Sequence, residues 1–180
     1  CGAMLWYPDE TIQHAGIVTG LGGYAGHSHK YKKKGGSGYL FRTSTVQDFS
    51  GVTGACLLVK TAVYDEMHGL DEQFAVAFND VDFCLRVRDA GYRIAWTPYA
   101  ELIHYESKSR GEDEKDPVKA ARFAAEQQRL YTIHGKENIL DDPYYNPNLT
   151  RDREDFSESD DLRRLKEGRV TVIFRGGTIQ

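Results

Sequence analysis

The sequence predicts an α/β domain built on a mixed sheet, and two observations predict it. Short apolar runs of strand length occur from Ala3 to Tyr7, Ala55 to Lys60 and Arg93 to Thr97. Longer runs with helical apolar spacing occur from Asp80 to Ala90 and from Val118 to His134. The 180 residues, 40% of them hydrophobic, are enough for one core.

Taken in order, Ala3 to Tyr7 reads as a strand and Pro8, Asp9 and Glu10 as a turn. Ile12 to Gly20 is a second extended stretch that ends in the Gly20, Gly22, Gly23 region. From Gly26 to Gly38, glycines and lysines surround His27, Ser28 and His29 without periodicity, and a mobile, solvated loop is expected. Ala55 to Lys60 fits a buried strand; Thr61 is placed to cap a helix from Ala62 to about Met67, with His68 and Gly69 ending it. Asn79 is a second N-cap candidate, ahead of a helix whose first turn holds Asp80 and Asp82 and which Gly91 stops.

Arg93 to Thr97 and Glu101 to His104 read as two extended pieces separated by Pro98. After a polar stretch from Ser107, Asp116-Pro117 opens a long helix that Gly135 closes. Asp142 to Leu149 is irregular, with Tyr144 and Tyr145 either stacking on a sugar or pinning the tail. Trp6 and Trp96 are expected in the core or as pocket walls, and Asp160 to Gln180 as a charged helix followed by a strand.

A net charge of −4 gives no electrostatic case for nucleic-acid binding. No run is apolar enough to cross a bilayer and no export signal is legible, so a cytoplasmic location is expected. The scattered Cys1, Cys56 and Cys84 form no disulfide or zinc pattern, and the latter two read as small core residues. The chain opens at Cys1, without Met and in mid-strand, from which a fragment is expected.

The chemistry-bearing segment runs from Gly51 to Gly111. A carboxylate at a helix N-terminus is oriented by backbone N–H groups, and an oriented carboxylate serves either as a cap or as a general base toward a hydroxyl. An imidazole at a strand end, as His104 would be, either packs or ligates a divalent metal. His27 and His29, one residue apart among lysines, read as part of a solvated face rather than as a second metal site.

A set of ordered motifs resembles the acceptor-side, C-terminal half of family 2 glycosyltransferases of the GT-A fold. They are Val52-Thr53-Gly54-Ala55-Cys56-Leu57-Leu58-Val59, Gly69-Leu70-Asp71-Glu72, Phe78-Asn79-Asp80-Val81-Asp82-Phe83-Cys84-Leu85-Arg86, Ala90-Gly91-Tyr92, Pro98 and Ile103-His104. The likeness covers about Ala3 to Gly111. Asp142-Pro143-Tyr144-Tyr145-Asn146-Pro147-Asn148-Leu149, similar to an ending of bacterial surface-polysaccharide members, extends it to about residue 150. The resemblance implies a partial GT-A domain over residues 1–150, with helices flanking the mixed sheet and the nucleotide-binding half absent, and a tail or following segment over 151–180.

It further implies a metal-dependent, inverting transfer from a nucleoside diphosphate sugar to a glycan or lipid-linked acceptor. In that reading Asp80 is the base, and Gly54, Ala55 and Asp82 lie at the acceptor. Arg110 reaches the donor diphosphate, and His104 ligates Mn²⁺ or Mg²⁺. The family often has Glu or Asp where this chain has Asn79, which removes a charge beside the base. The acceptor would bring the protein to the inner face of the membrane. The alternative is a non-catalytic remnant or scaffold in a polysaccharide-assembly complex. Without the donor half, the chain alone is expected to be inactive.

Overall fold

A computed structural model describes residues 1–105 and 116–159. It is an α/β structure, as the apolar runs predict. Strand β1 (Gly2–Trp6) is buried at every residue because it has a strand on each side and packing on both faces. Among the described residues its sheet has the order β2-β1-β6-β5, with β2 Ile12–His14, β5 Gln47–Asp48 and β6 Ala95–Ile103. β1 pairs parallel with β6 and antiparallel with β2, so the sheet is mixed.

The two extended pieces expected around Pro98 are one strand. Thr97 faces Ala3 while Glu101 faces Met4, so residues 98–100 bulge out between consecutive partners on β1. Proline lacks the N–H a ladder needs, and a bulge is where a strand tolerates it. Residues 55–60, expected as a strand, instead form a 3₁₀ turn at Gly54–Cys56 and then an extended run. An isolated bridge from Leu57 to Gly2 ties that run to the sheet. Of its apolar residues, Leu57 and Val59 are half-buried and Leu58 is exposed.

β3 (Ile17–Thr19) and β4 (Ala25–His27) form an antiparallel ribbon. Gly16, just before it, has φ +98°, and a Cβ there would lie 2.5 Å from the Phe49 ring. Only glycine allows the chain to turn against that ring.

The loop expected to be mobile is instead packed over much of its length. Ile12 N donates to Lys32 O and Tyr31 N to Ile12 O, both at 2.8 Å, which lays residues 31–32 along β2. His29 is 1% exposed and stacks on Phe156 with ring centroids 4.3 Å apart. Its Nδ1 bonds Ser28 Oγ at 2.7 Å, and its Nε2 accepts from Tyr39 N at 2.9 Å. A buried ring and paired backbone groups outweigh the polar composition that signals a loop. The lysines 32, 33 and 34 do face solvent, as expected.

Helix α1 (Thr61–Glu66) begins at Thr61 without a side-chain cap, so Thr61 is its first residue rather than its cap. Helix α2 (Asn79–Asp89) is likewise capped by the residue before the one expected, Phe78. Helix α3 (Pro117–His134) starts as the Asp-Pro pair predicts, with Val118 N donating to the Asp116 carboxylate at 2.9 Å. A short α4 (Lys136–Leu140) follows Gly135.

Two apolar clusters form the core, and α2 divides them. Its Phe83, Cys84 and Val87 pack with Trp6, Phe49 and Trp96. Its Val81 and Leu85 pack with Phe74, Phe78, Leu130 and Ile139. A helix apolar on two sides belongs inside a molecule rather than on its rim. Cys84 lies in this wedge, and burial pushes its thiol up to about 12; Cys56 is half-buried and Cys1 exposed, and all three are free thiols.

Residues 151–157 continue on the same body, since Gly22 N donates to Arg151 O, His29 N to Glu154 O, and Phe156 is buried. The expected helix and strand between Asp160 and Gln180 lie outside the described residues, as does most of the polar stretch after Ser107. No helix among the described residues is long and apolar enough to cross a membrane.

Asp142 is the main tie between the tail and the ribbon. It is buried and accepts from Thr19 N at 2.7 Å, Thr19 Oγ at 3.2 Å and Tyr144 N at 2.7 Å. Asp142→Ala leaves these donors unsatisfied and should cost about 1–3 kcal/mol for each buried one. The neighbouring exposed Asp141→Ala should stay within about 0.5 kcal/mol. Urea unfolding of the two variants checks the difference.

Candidate functional site

The site forms where the 3₁₀ turn meets the start of α2. Residues 50–54 run antiparallel along this helix. Arg88 Nη1 donates to Ser50 Oγ at 3.0 Å near its end, Val52 N contacts Cys84 Sγ at 3.5 Å in its middle, and Gly54 N donates to Asp80 Oδ2 at 2.8 Å in its first turn. Asp80 Oδ1 accepts from Val81 N at 2.9 Å, and Asp80 N donates to Asn79 Oδ1 at 2.8 Å. The carboxylate is thus held in one orientation by two backbone amides. It is half-buried, beside the exposed Gly54 and Ala55.

The backbone entering this turn is strained. Phe78 sits in the left-handed region, with φ 64°. For a side chain of that size this costs on the order of 1–2 kcal/mol. Burial holds it there: its ring packs on Tyr24 and Phe123 at centroid distances of 5.6 and 5.1 Å. Helix α3 supplies the second restraint. The buried Glu126 accepts from Ala77 N at 2.6 Å and from Val76 N at 3.3 Å, and so fixes the segment that delivers Asp80.

Asp82, expected at the acceptor, is 1% exposed and points the other way. Its Oδ2 accepts from Arg86 Nε at 2.9 Å and pairs with Nη2 at 2.7 Å; its Oδ1 faces His134 Nε2 at 2.8 Å. Burial pushes this carboxyl up, but the bonds from His134 and Arg86 outweigh it and leave it below its usual range. Its carboxylate joins α2 to α3 rather than facing an open cleft.

His104 follows β6, with its N donating to Trp6 O at 2.9 Å. Its Nδ1 faces the Gln13 amide, 2.8 Å from the nitrogen and 3.0 Å from the oxygen. The next residue on β2, His14, accepts from Thr53 N at 3.4 Å through Nε2. A chain of contacts therefore runs from Asp80 and Gly54 through Thr53 and β2 to His104. Arg110 lies outside the described residues. Among the described residues, no three His, Cys, Asp or Glu side chains come together as metal ligands, so His104 offers a single nitrogen.

Sequence reasoning missed the polar layer under the site. His14 is fully buried and faces His27, Nδ1 to Nδ1, at 3.0 Å. Because His14 Nε2 accepts from Thr53, its hydrogen is on Nδ1, which donates to His27. The alternation of Ile12-Gln13-His14 in a short strand is the one signal that could have shown it. His27 and His29 share no site: one faces His14 and the other stacks on Phe156.

The chain is similar to parts of several longer proteins. It is 49% identical over 156 residues to the protein y4gI of Sinorhizobium fredii, which covers 86% of this chain and 17% of that protein. It is 35% identical over 150 residues to the O-antigen biosynthesis protein RfbC of Myxococcus xanthus, covering 83% of this chain and 11% of the relative. It is 32% identical over 80 residues to an N-acetylglucosaminyl-diphospho-decaprenol L-rhamnosyltransferase of Mycobacterium tuberculosis, covering 44% of this chain and 24% of the relative. The chain thus spans less than a quarter of the length of each of these relatives. No family model matches, and no solved structure matches.

The buried histidines set a pH dependence. Burial, with the charge of His27 added, holds His14 well below its ordinary value of 6.5, and burial with nearby Lys32 and Arg42 pushes His29 down to about 4. Below about pH 6.5 the unfolded chain binds protons that the native state refuses, so stability falls as pH drops. The unfolding free energy from urea titrations between about pH 7 and about pH 4.5 should fall, by up to about 1.4 kcal/mol per pH unit for each histidine. His29→Gln should flatten the profile by one histidine's share.

Proposed function

We propose that this chain is the acceptor-side part of a family 2, GT-A glycosyltransferase that assembles a surface polysaccharide. The observation that carries this reading is Asp80: a half-buried carboxylate, oriented by the amides of Gly54 and Val81, beside an exposed turn. Two backbone bonds occupy only part of its acceptor capacity, since an ionised carboxylate offers about four lone-pair sites. A sugar hydroxyl over Gly54 and Ala55 would give its proton to Asp80. Its oxygen would attack the anomeric carbon of a nucleoside diphosphate sugar from the face opposite the leaving group. The bond to the diphosphate breaks, the nucleotide leaves with the electron pair, and the sugar configuration inverts.

The names of the relatives support this reading, one for O-antigen biosynthesis and one for rhamnosyl transfer to a diphospho-decaprenol acceptor. A glycan or lipid-linked acceptor at the inner membrane face is the corresponding proposal here. His104 is proposed as one ligand of Mn²⁺ or Mg²⁺ through Nε2, since Nδ1 is engaged with Gln13. The described residues do not complete a metal site, and no step above depends on one.

One observation favours the non-catalytic alternative: bonds to Gly54 N and Val81 N are also what a purely structural helix cap makes. Asp80→Asn keeps the shape and removes the base. In the intact protein it should cut turnover roughly 10²–10⁴-fold with little change in donor affinity. His104→Ala should raise the manganese concentration needed for half-maximal turnover. Near-normal turnover in Asp80→Asn would make Asp80 a cap and the scaffold reading the better one.

A further inference from the structure

A cavity of about 650 Å³ opens at the far end of α2 from Asp80. The placement follows from the contacts of residues 48–54: Gly54 meets the first turn of the helix and Ser50 the last, and Asp48, which lines the cavity, grips Arg93 beyond it. The 11 residues of α2 put the two ends roughly 15 Å apart.

Arg42 is the unusual group in this cavity. Its guanidinium lies between two rings, 4.8 Å from the Phe49 centroid and 5.5 Å from that of Phe156. Its Nε and Nη2 are inaccessible to solvent and make no hydrogen bond among the described residues. The carboxylates nearby are already engaged. Asp48 bonds Arg93 Nε at 2.9 Å and Nη2 at 3.2 Å, and Asp142 accepts from Thr19 and Tyr144. Arg42 lines the cavity, is only half-buried and makes no ion pair among the described residues, so an anion that enters meets a cation no carboxylate has neutralised. The rest of the wall is suited to a sugar ring: Tyr39 and Tyr144 offer aromatic faces, and Asn146 and Asn148 offer amides.

We propose that this cavity is a binding subsite for a sugar unit carrying an anionic group, which Arg42 receives while Tyr144 stacks on the ring. The sugar rests on the transfer reading above; the anion rests on Arg42 alone. The subsite would hold a charged unit of the acceptor glycan away from the reacting hydroxyl. A uronic acid carboxylate and a sugar phosphate present the same chemistry to a guanidinium.

The test is a titration of the protein without donor, followed by NMR, so that its failure leaves the Asp80 experiment untouched. The probes are methyl β-glucuronide, glucose 1-phosphate, neutral methyl β-glucoside and inorganic phosphate. At least one anionic sugar should bind more tightly than the glucoside, by on the order of tenfold, the worth of one charge-assisted hydrogen bond. Which one does so separates carboxylate from phosphate. Arg42→Gln should erase the preference, and Tyr144→Ala should weaken every sugar, so the second variant carries the test if the first does not fold. The proposal is overturned if neither anionic sugar is preferred, if the preference survives Arg42→Gln, or if inorganic phosphate binds as well as either sugar.

Discussion

The buried carboxylate of Asp82 is the interaction on which the arrangement depends. Arg86, one turn further along α2, holds it and continues outward, donating from Nη1 to Met67 O at 2.5 Å and from Nη2 to Gly69 O at 2.9 Å. His134, the last residue of α3, holds it from the other side. One side chain thus joins the end of α1, the start of α2 and the end of α3. A desolvated charge adds little net stability when paired, but removing a partner costs about 3–5 kcal/mol, so the three elements are locked in one geometry.

That geometry frees Asp80 for a different role. Two residues apart on a helix, Asp80 and Asp82 face in different directions, since each residue turns about 100°. One carboxylate is spent on holding the scaffold and the other is presented at a surface. The presentation itself is restrained three times over, by Gly54 below, by Glu126 on the backbone before the helix, and by the buried Phe78 ring that enforces a left-handed residue. The strained residue and the oriented carboxylate are therefore held by the same packing.

The two ends of α2 then differ in chemistry. The N-terminal end carries an anchored carboxylate and an exposed glycine turn, suited to a hydroxyl. The C-terminal end carries an unpaired guanidinium between aromatic walls, suited to an anion. Residues 48–54 run from one to the other. In the proposed transfer, contacts beyond the reacting unit would supply the binding energy that positions the reacting hydroxyl.

The α/β class, the central apolar strand, α2 and α3 to within a residue at their ends, and the place of Asp80 in a first turn were all legible in the sequence. These are local matters: periodicity, Asp-Pro and Gly punctuation, and the backbone field of a helix act within a few residues. Only the tertiary structure decided which of two like carboxylates is buried, because that depends on Arg86 and on His134, 52 residues away. It also decided that Ala55 to Lys60 is not a strand, since a 3₁₀ turn takes its first residues and a single bridge from Leu57 to Gly2 joins the rest to β1. It merged two extended pieces across Pro98 by bulging three residues out of register, and it buried His14 in a short strand and His29 in a segment whose composition reads as polar. Pairing partners, burial and the neighbours of a charge are set by residues distant in the chain, and no window along the sequence contains them.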